Sequence, residues 1–190
     1  MAYVLSGVSI VLTLAVVTAA GVVGGRSIWM RAREAARVDA RDRFHAGLRA
    51  GVLALIAYDL SRWALVESTG LAFRPFEAFG AFGQGLVGSA AEGWWVVAAG
   101  AAFHIMNGIG FAVAYAFLAG PSGPVAGVAF ALGLEACMVL LYPQWLRLQA
   151  VDEFLQVSIF GHVVYGVVLG FAARAEIRRR RALRLASAIG

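Results

Sequence analysis

Apolar residues run along this chain in long unbroken stretches, separated by short segments that hold nearly all of the charge. A strand facing lipid on one side would alternate apolar and polar positions, so continuous runs predict helices rather than a β-barrel. Crossing the hydrocarbon core of a bilayer takes about 20 mostly apolar residues. Five stretches reach that length: 2–23, 47–66, 94–118, 123–142 and 154–173. The pattern predicts an all-α, polytopic membrane helix bundle with five transmembrane helices in a single integral membrane domain. The first stretch has no basic residue ahead of it and is too long for the core of a signal peptide, so it reads as a retained helix.

Arginine placement gives the bundle a direction. Arg26, Arg31, Arg33, Arg37, Arg41, Arg43 and Arg49 lie between the first two spans, and Arg174, Arg178, Arg179, Arg180, Arg181 and Arg184 follow the fifth. With five spans and the N-terminus outside, all of these fall on one side; only Arg62, Arg74 and Arg147 lie on or near the other. The positive-inside rule then gives N-out, C-in. The inner loop 27–46 reads as a helical extension of the first span, with Glu34/Arg37 and Asp39/Arg43 at helical pair spacing. The tail 174–190, with four consecutive arginines at 178–181, reads as a stop-transfer and headgroup anchor.

On the outer side, 71–93 is too polar and too glycine-rich to span. Phe73, Phe76, Phe79 and Phe82 recur every three residues, which predicts a short interfacial helix with its aromatic face towards lipid. The segment 142–154 reads as a second such piece.

Composition narrows the class. The chain is 61% hydrophobic and 14% charged, with a mean hydropathy of +0.79, against about 45–50% apolar and about 25% charged in soluble domains. All sixteen basic residues are arginine, and the isoelectric point is about 10.1. That charge flanks apolar spans, so its expected partners are the lipid bilayer and anionic headgroups on the inner side, not nucleic acid. The single cysteine, Cys137, excludes an internal disulfide and a thiolate metal cluster.

Four ionisable residues stand inside the spans: Asp59, His104, Glu135 and His162, with Asn107 as a neutral companion. Each charge at mid-membrane costs roughly 2.5–3.5 kcal/mol, so such groups face the bundle interior and find partners. Counting about 1.5 Å per residue from the outer helix ends puts all four about 10 Å deep, at one level. Gly100, His104, Gly108 and Ala112 are spaced by four, as are His162, Gly166 and Gly170, and Gly127, Ala131 and Glu135. Small residues at that spacing let membrane helices approach closely, so the polar residues belong on packed faces. Ser122 in Gly-Pro-Ser-Gly could pass for a protease nucleophile, but it falls in an inner turn, nearly a bilayer away from His162.

The first reading of this cluster is structural, in a non-enzymatic accessory or assembly protein. The second is a divalent metal site in a membrane enzyme or carrier, with His104, His162, Glu135 and Asp59 as ligands. A haem between the two histidines ranks below it. The third is a proton-linked transporter, which at this size would work as a homo-oligomer or with a membrane-protein partner.

The runs FHIMNGIGFAVAYAF (103–117), GPVAGVAFALGLE (123–135), SIFGHVVYGVVLG (158–170) and TGLAFRPFEAFGAFGQGLVG (69–88) resemble the YagU-like group of uncharacterised bacterial inner-membrane proteins. By that resemblance His104, His162, Tyr165 and Gly166 fall on pattern positions, and the bacterial inner membrane is the implied location. The group carries no settled activity, so the resemblance implies a fold and a pair of histidines but no reaction.

Overall fold

A computed structural model describes residues 40–145 and 151–187. The first expected span and residues 27–39 of the inner loop lie outside the described residues, as do 146–150. Within them the chain forms five α-helices and no strand: α1 (Ala40–Thr69), α2 (Ala78–Val87), α3 (Trp94–Leu118), α4 (Pro124–Trp145) and α5 (Val151–Ser187), with a 3-10 turn at Gly120–Ser122 between α3 and α4.

The second to fifth expected spans all fall on these helices, and the third coincides with α3. Among the described residues, however, only two helices are long and apolar enough to cross a membrane by length and composition: α3, and α5 from Glu153 onward. By this measure the described residues support two spans and not five. Pro124–Leu140 of α4 counts as a shorter apolar helix. In α1, Arg49, Asp59, Arg62 and Glu67 interrupt the apolar run.

α1 packs against α3 and α5, and α4 packs against α5. The small-residue faces make these contacts. A Cβ on Gly166 would come 2.6 Å from the Gly127 carbonyl oxygen and the Val128 Cα of α4. One on Gly170 would come 2.5 Å from Gly123 O and Pro124 Cα. Across the other interface, a Cβ on Gly51 would meet the Ala112 methyl at 2.8 Å, and one on Gly108 would meet Leu55 Cδ1 at 2.6 Å. Tyr115 and Leu169 are fully buried in the core between these faces.

α2 departs from the expected interfacial helix. It covers ten residues and runs antiparallel to α3, so closely that a Cβ on Gly83 would strike the Val96 carbonyl and one on Gly100 the Phe79 carbonyl. Gly100 therefore packs against α2, not against another long helix. The aromatic residues turn inward: Phe79 stacks on His104 (centroids 5.2 Å apart) and Phe82 on Phe103 (6.0 Å), while Phe73 packs on Phe154 (5.5 Å). Phe76 alone of the four is nearly half exposed. Gly70, at φ 70°, ends α1 in the left-handed conformation that favours glycine. The Phe73 amide then donates to Glu153 Oε2 at 2.8 Å, tying this segment to the start of α5.

At the opposite, basic end, ion pairs tie the start of α1 to the end of α5. Arg184 lies 2.7 Å from Asp42, and Arg49 lies 2.9 Å from Glu176, which also holds Arg179 (2.8 Å) and Arg180 (2.7 Å). Hydrogen bonding from Arg179 above all, then from Arg180, brings the Glu176 carboxyl down to about 2. Arg43 caps the C-terminus of α3 through the carbonyls of Ala116 (3.3 Å) and Phe117, where a cation meets the negative end of the helix dipole.

Candidate functional site: a cleft with two histidine–carboxylate pairs

The four ionisable residues stand as two pairs. His104 Nε2 of α3 lies 3.1 Å from both carboxylate oxygens of Asp59 on α1. His162 Nδ1 of α5 lies 2.9 Å from Glu135 Oε2 on α4 and donates to the Ser158 carbonyl at 2.9 Å. Ser158, one helical turn before His162, donates its hydroxyl to the same Glu135 oxygen at 2.8 Å. Glu135 and Ser158 are fully buried and His162 nearly so. Glu135 Oε1 has no hydrogen-bond partner, an expensive state for a buried carboxylate oxygen.

Tyr58 joins the pairs. Its ring centroid lies 5.8 Å from that of His104, 5.0 Å from that of His162 and 6.2 Å from that of Tyr165. The Arg62 guanidinium covers the Tyr58 ring at 4.6 Å and lies 3.8 Å from Asp59, so Asp59 faces a permanent cation as well as an imidazole. Arg62 is 4% exposed. Its stem occupies the space left by Gly161, where a Cβ would fall 2.7 Å from Arg62 Cγ and Cδ. Tyr165 donates its hydroxyl to the Gly108 carbonyl at 2.5 Å, locking α5 to α3.

His104 and His162 both line a cleft of about 160 Å³. α3 and α4 meet near the turn that links them, where the Tyr115 and Phe130 rings lie 5.5 Å apart, and both helices line the cleft. Its walls are Phe103, Asn107 and Phe111 of α3 and Leu134, Cys137 and Met138 of α4, with Tyr58, Arg62 and Tyr165 on the floor. Asn107, singled out in the sequence, is thus a wall residue of the cleft.

Among the described residues no three of histidine, cysteine, aspartate and glutamate stand close enough together to hold a metal ion. Asp59 with His104 and Glu135 with His162 stand as separate pairs, so among the described residues the expected ligands His104, His162, Glu135 and Asp59 are not gathered into one group. Tyr58, Arg62 and Ser158 were not anticipated as members of the site. Their signal was helical spacing: Arg62 follows Asp59 by three, and His162 follows Ser158 by four.

A family model covers residues 42–182, from the first turn of α1 to near the end of α5. The chain belongs to DUF6789, a family of unknown function. Both histidine pairs and the whole cleft lie within the matched region, whereas the first expected span lies outside it. The match supports membership of an uncharacterised family, as the motifs implied, but names no YagU-like group. No curated protein and no solved structure matches the chain.

Proposed function

We propose that the chain is a multi-pass protein of the bacterial inner membrane, five spans running N-out and C-in, and that it is a non-enzymatic binding protein. Its ligand is a small molecule dissolved in the bilayer, taken up sideways into the cleft lined by α3 and α4. The observation that carries this reading is the lining of the cleft: two histidines, each backed by its own carboxylate, together with Arg62 and Asn107 on a mostly aromatic and aliphatic wall.

Exposure supports the membrane setting. Only 17% of the most apolar stretch of α3 is buried inside the fold, and Trp94, Met106, Val125, Leu140 and Phe171 are all more than half exposed. Apolar surface on that scale marks contact with lipid or protein. α1 fits as a span despite its charges, because Asp59 and Arg62 turn inward. Its exposed face carries Val52, Leu53, Ile56, Leu60 and Trp63 at helical spacing. The 17-residue stretch Pro124–Leu140 of α4 rises about 25 Å, close to the roughly 30 Å core. The apolar sequence 2–23, outside the described residues, is assigned as the first span on composition alone, and the arginine-rich end meets anionic headgroups. The YagU-like grouping is part of this proposal, resting on motif residues that fall inside the family match.

The test is to purify the full chain in mild detergent and identify lipophilic molecules that accompany it, beside a Met138→Trp variant whose indole fills the cleft. A small molecule near one per chain in the wild type, lost in the folded variant, is the expected result. Equal amounts in both, or none in either, would overturn the binding reading.

A further inference from the structure

We infer that the ligand of this cleft is a long-chain fatty acid, held with its carboxylate on Arg62 and its chain running out towards the bilayer; the inference rests on the binding reading above. Arg62 is the first argument. Its guanidinium keeps its charge whatever protons the two histidines carry, and the residue is 4% exposed. Its Nε is enclosed and has no hydrogen-bond partner. Asp59, its ion-pair partner, stands 3.8 Å from Nη1, beyond hydrogen-bond reach, and has both oxygens 3.1 Å from His104 Nε2. Tyr58 and Phe73 offer the guanidinium only their ring faces, at 4.6 and 5.9 Å. A buried charge is stable when it is both paired and hydrogen-bonded, and Arg62 is paired while its Nε goes without an acceptor. A carboxylate meets that need, because a guanidinium takes its two oxygens side by side.

The second argument is which groups face the cleft. Its polar lining comes from Arg62, His104, His162 and Asn107 with the phenols of Tyr58 and Tyr165, and among the described residues no carboxylate lines it. Asp59 and Glu135 are each held by one of the lining histidines. An anionic head in the cleft therefore meets the permanent cation directly and the two acids only at one remove. The Asn107 amide adds N–H donors to the wall.

Direction and size are the third. Arg62 and His162 are buried, whereas Phe111 and Cys137 are exposed. The charged part of the cleft is thus its enclosed part, and an apolar part reaches the surface. A molecule with one anionic end and one long apolar end fits that gradient head first. An apolar cavity of about 150 Å³ accepts a benzene-sized molecule, so this cleft of about 160 Å³ takes a carboxylate and the first few methylenes. The rest of the chain lies outside it, in lipid.

Cys137, the only cysteine in the chain, lines the cleft and is exposed, so its alkylation by an uncharged maleimide reports occupancy. The full chain in phosphatidylcholine nanodiscs is titrated at about pH 8, where a carboxyl group is ionised. The compounds share one long monounsaturated chain: the fatty acid, its methyl ester and the matching alcohol. The acid is expected to slow labelling at about tenfold lower concentration than the other two, the gain from hydrogen bonds to a charged group. In Arg62→Gln the three should protect alike. If the ester or the alcohol protects wild type as well as the acid does, the fatty-acid inference is overturned and uptake of lipophilic molecules stands. A preference for the acid that survives in Arg62→Gln overturns it too, and the wild-type comparison decides by itself if that variant does not fold. If none of the three protects, the fatty-acid inference is likewise overturned, and the molecules found with the purified chain decide the binding reading separately.

Discussion

Glu135 is the residue whose environment is most demanding. It is wholly enclosed between α4 and α5, with one oxygen held by Ser158 and His162 and the other without a partner. Removing one member of a buried pair costs about 3–5 kcal/mol, since the other is left without its counterpart. Glu135→Ala should therefore destabilise the bundle by roughly 3 kcal/mol, whereas Glu135→Gln keeps an acceptor for Ser158 and His162 and should cost less than half as much. Unfolding of the detergent-solubilised variants, followed by circular dichroism, checks this; equal losses would mean that the carboxylate is not held as described. The histidines were legible in the sequence because ionisable residues in apolar runs are rare. Arg62 was not, because near a helix end it passes for an outer-side arginine, and only packing puts its guanidinium over Tyr58.

Between elements, the α4–α5 contact is glycine against glycine. Gly166→Leu would drive a side chain into the Gly127 and Val128 backbone and should destabilise the fold by several kcal/mol, since backbone cannot yield as a side chain can. Gly133 sits in the same helix pair with open space around its Cβ position. Gly133→Ala should be neutral or gain up to about 1 kcal/mol from helix propensity. A thermal-stability comparison of the two variants separates packing glycines from incidental ones. The pairing of α1 with α5 at the basic end carries a pH dependence. Folding lowers the Glu176 carboxyl from an ordinary 4.5 to about 2, so its contribution is fully present above about pH 4.5 and is lost as pH falls towards 2. The stability difference between wild type and Glu176→Gln should stay constant above about pH 5 and shrink below it; a difference that grows on acidification would contradict the pairing. Of these two interfaces, the first was visible as spacing by four in the sequence. The second was not, because ion pairs between residues 127 positions apart leave no local trace.

For the whole molecule, the basic ends of α1 and α5 meet and the Phe73–Glu153 contact lies at the other end. A reporter active only in the cytoplasm should therefore work when fused after residue 187, and one active only outside should work when inserted near residue 90. The reverse pattern would invert the proposed topology. Helix positions and the small-residue faces were determined by the sequence alone, because each follows from apolar runs and side-chain size along one helix. Only the tertiary structure decided that four polar residues form two pairs instead of one set, that α2 stands on α3, and that α3 and α4 line one cleft. These depend on which helix faces which, a choice made by contacts between residues distant in sequence.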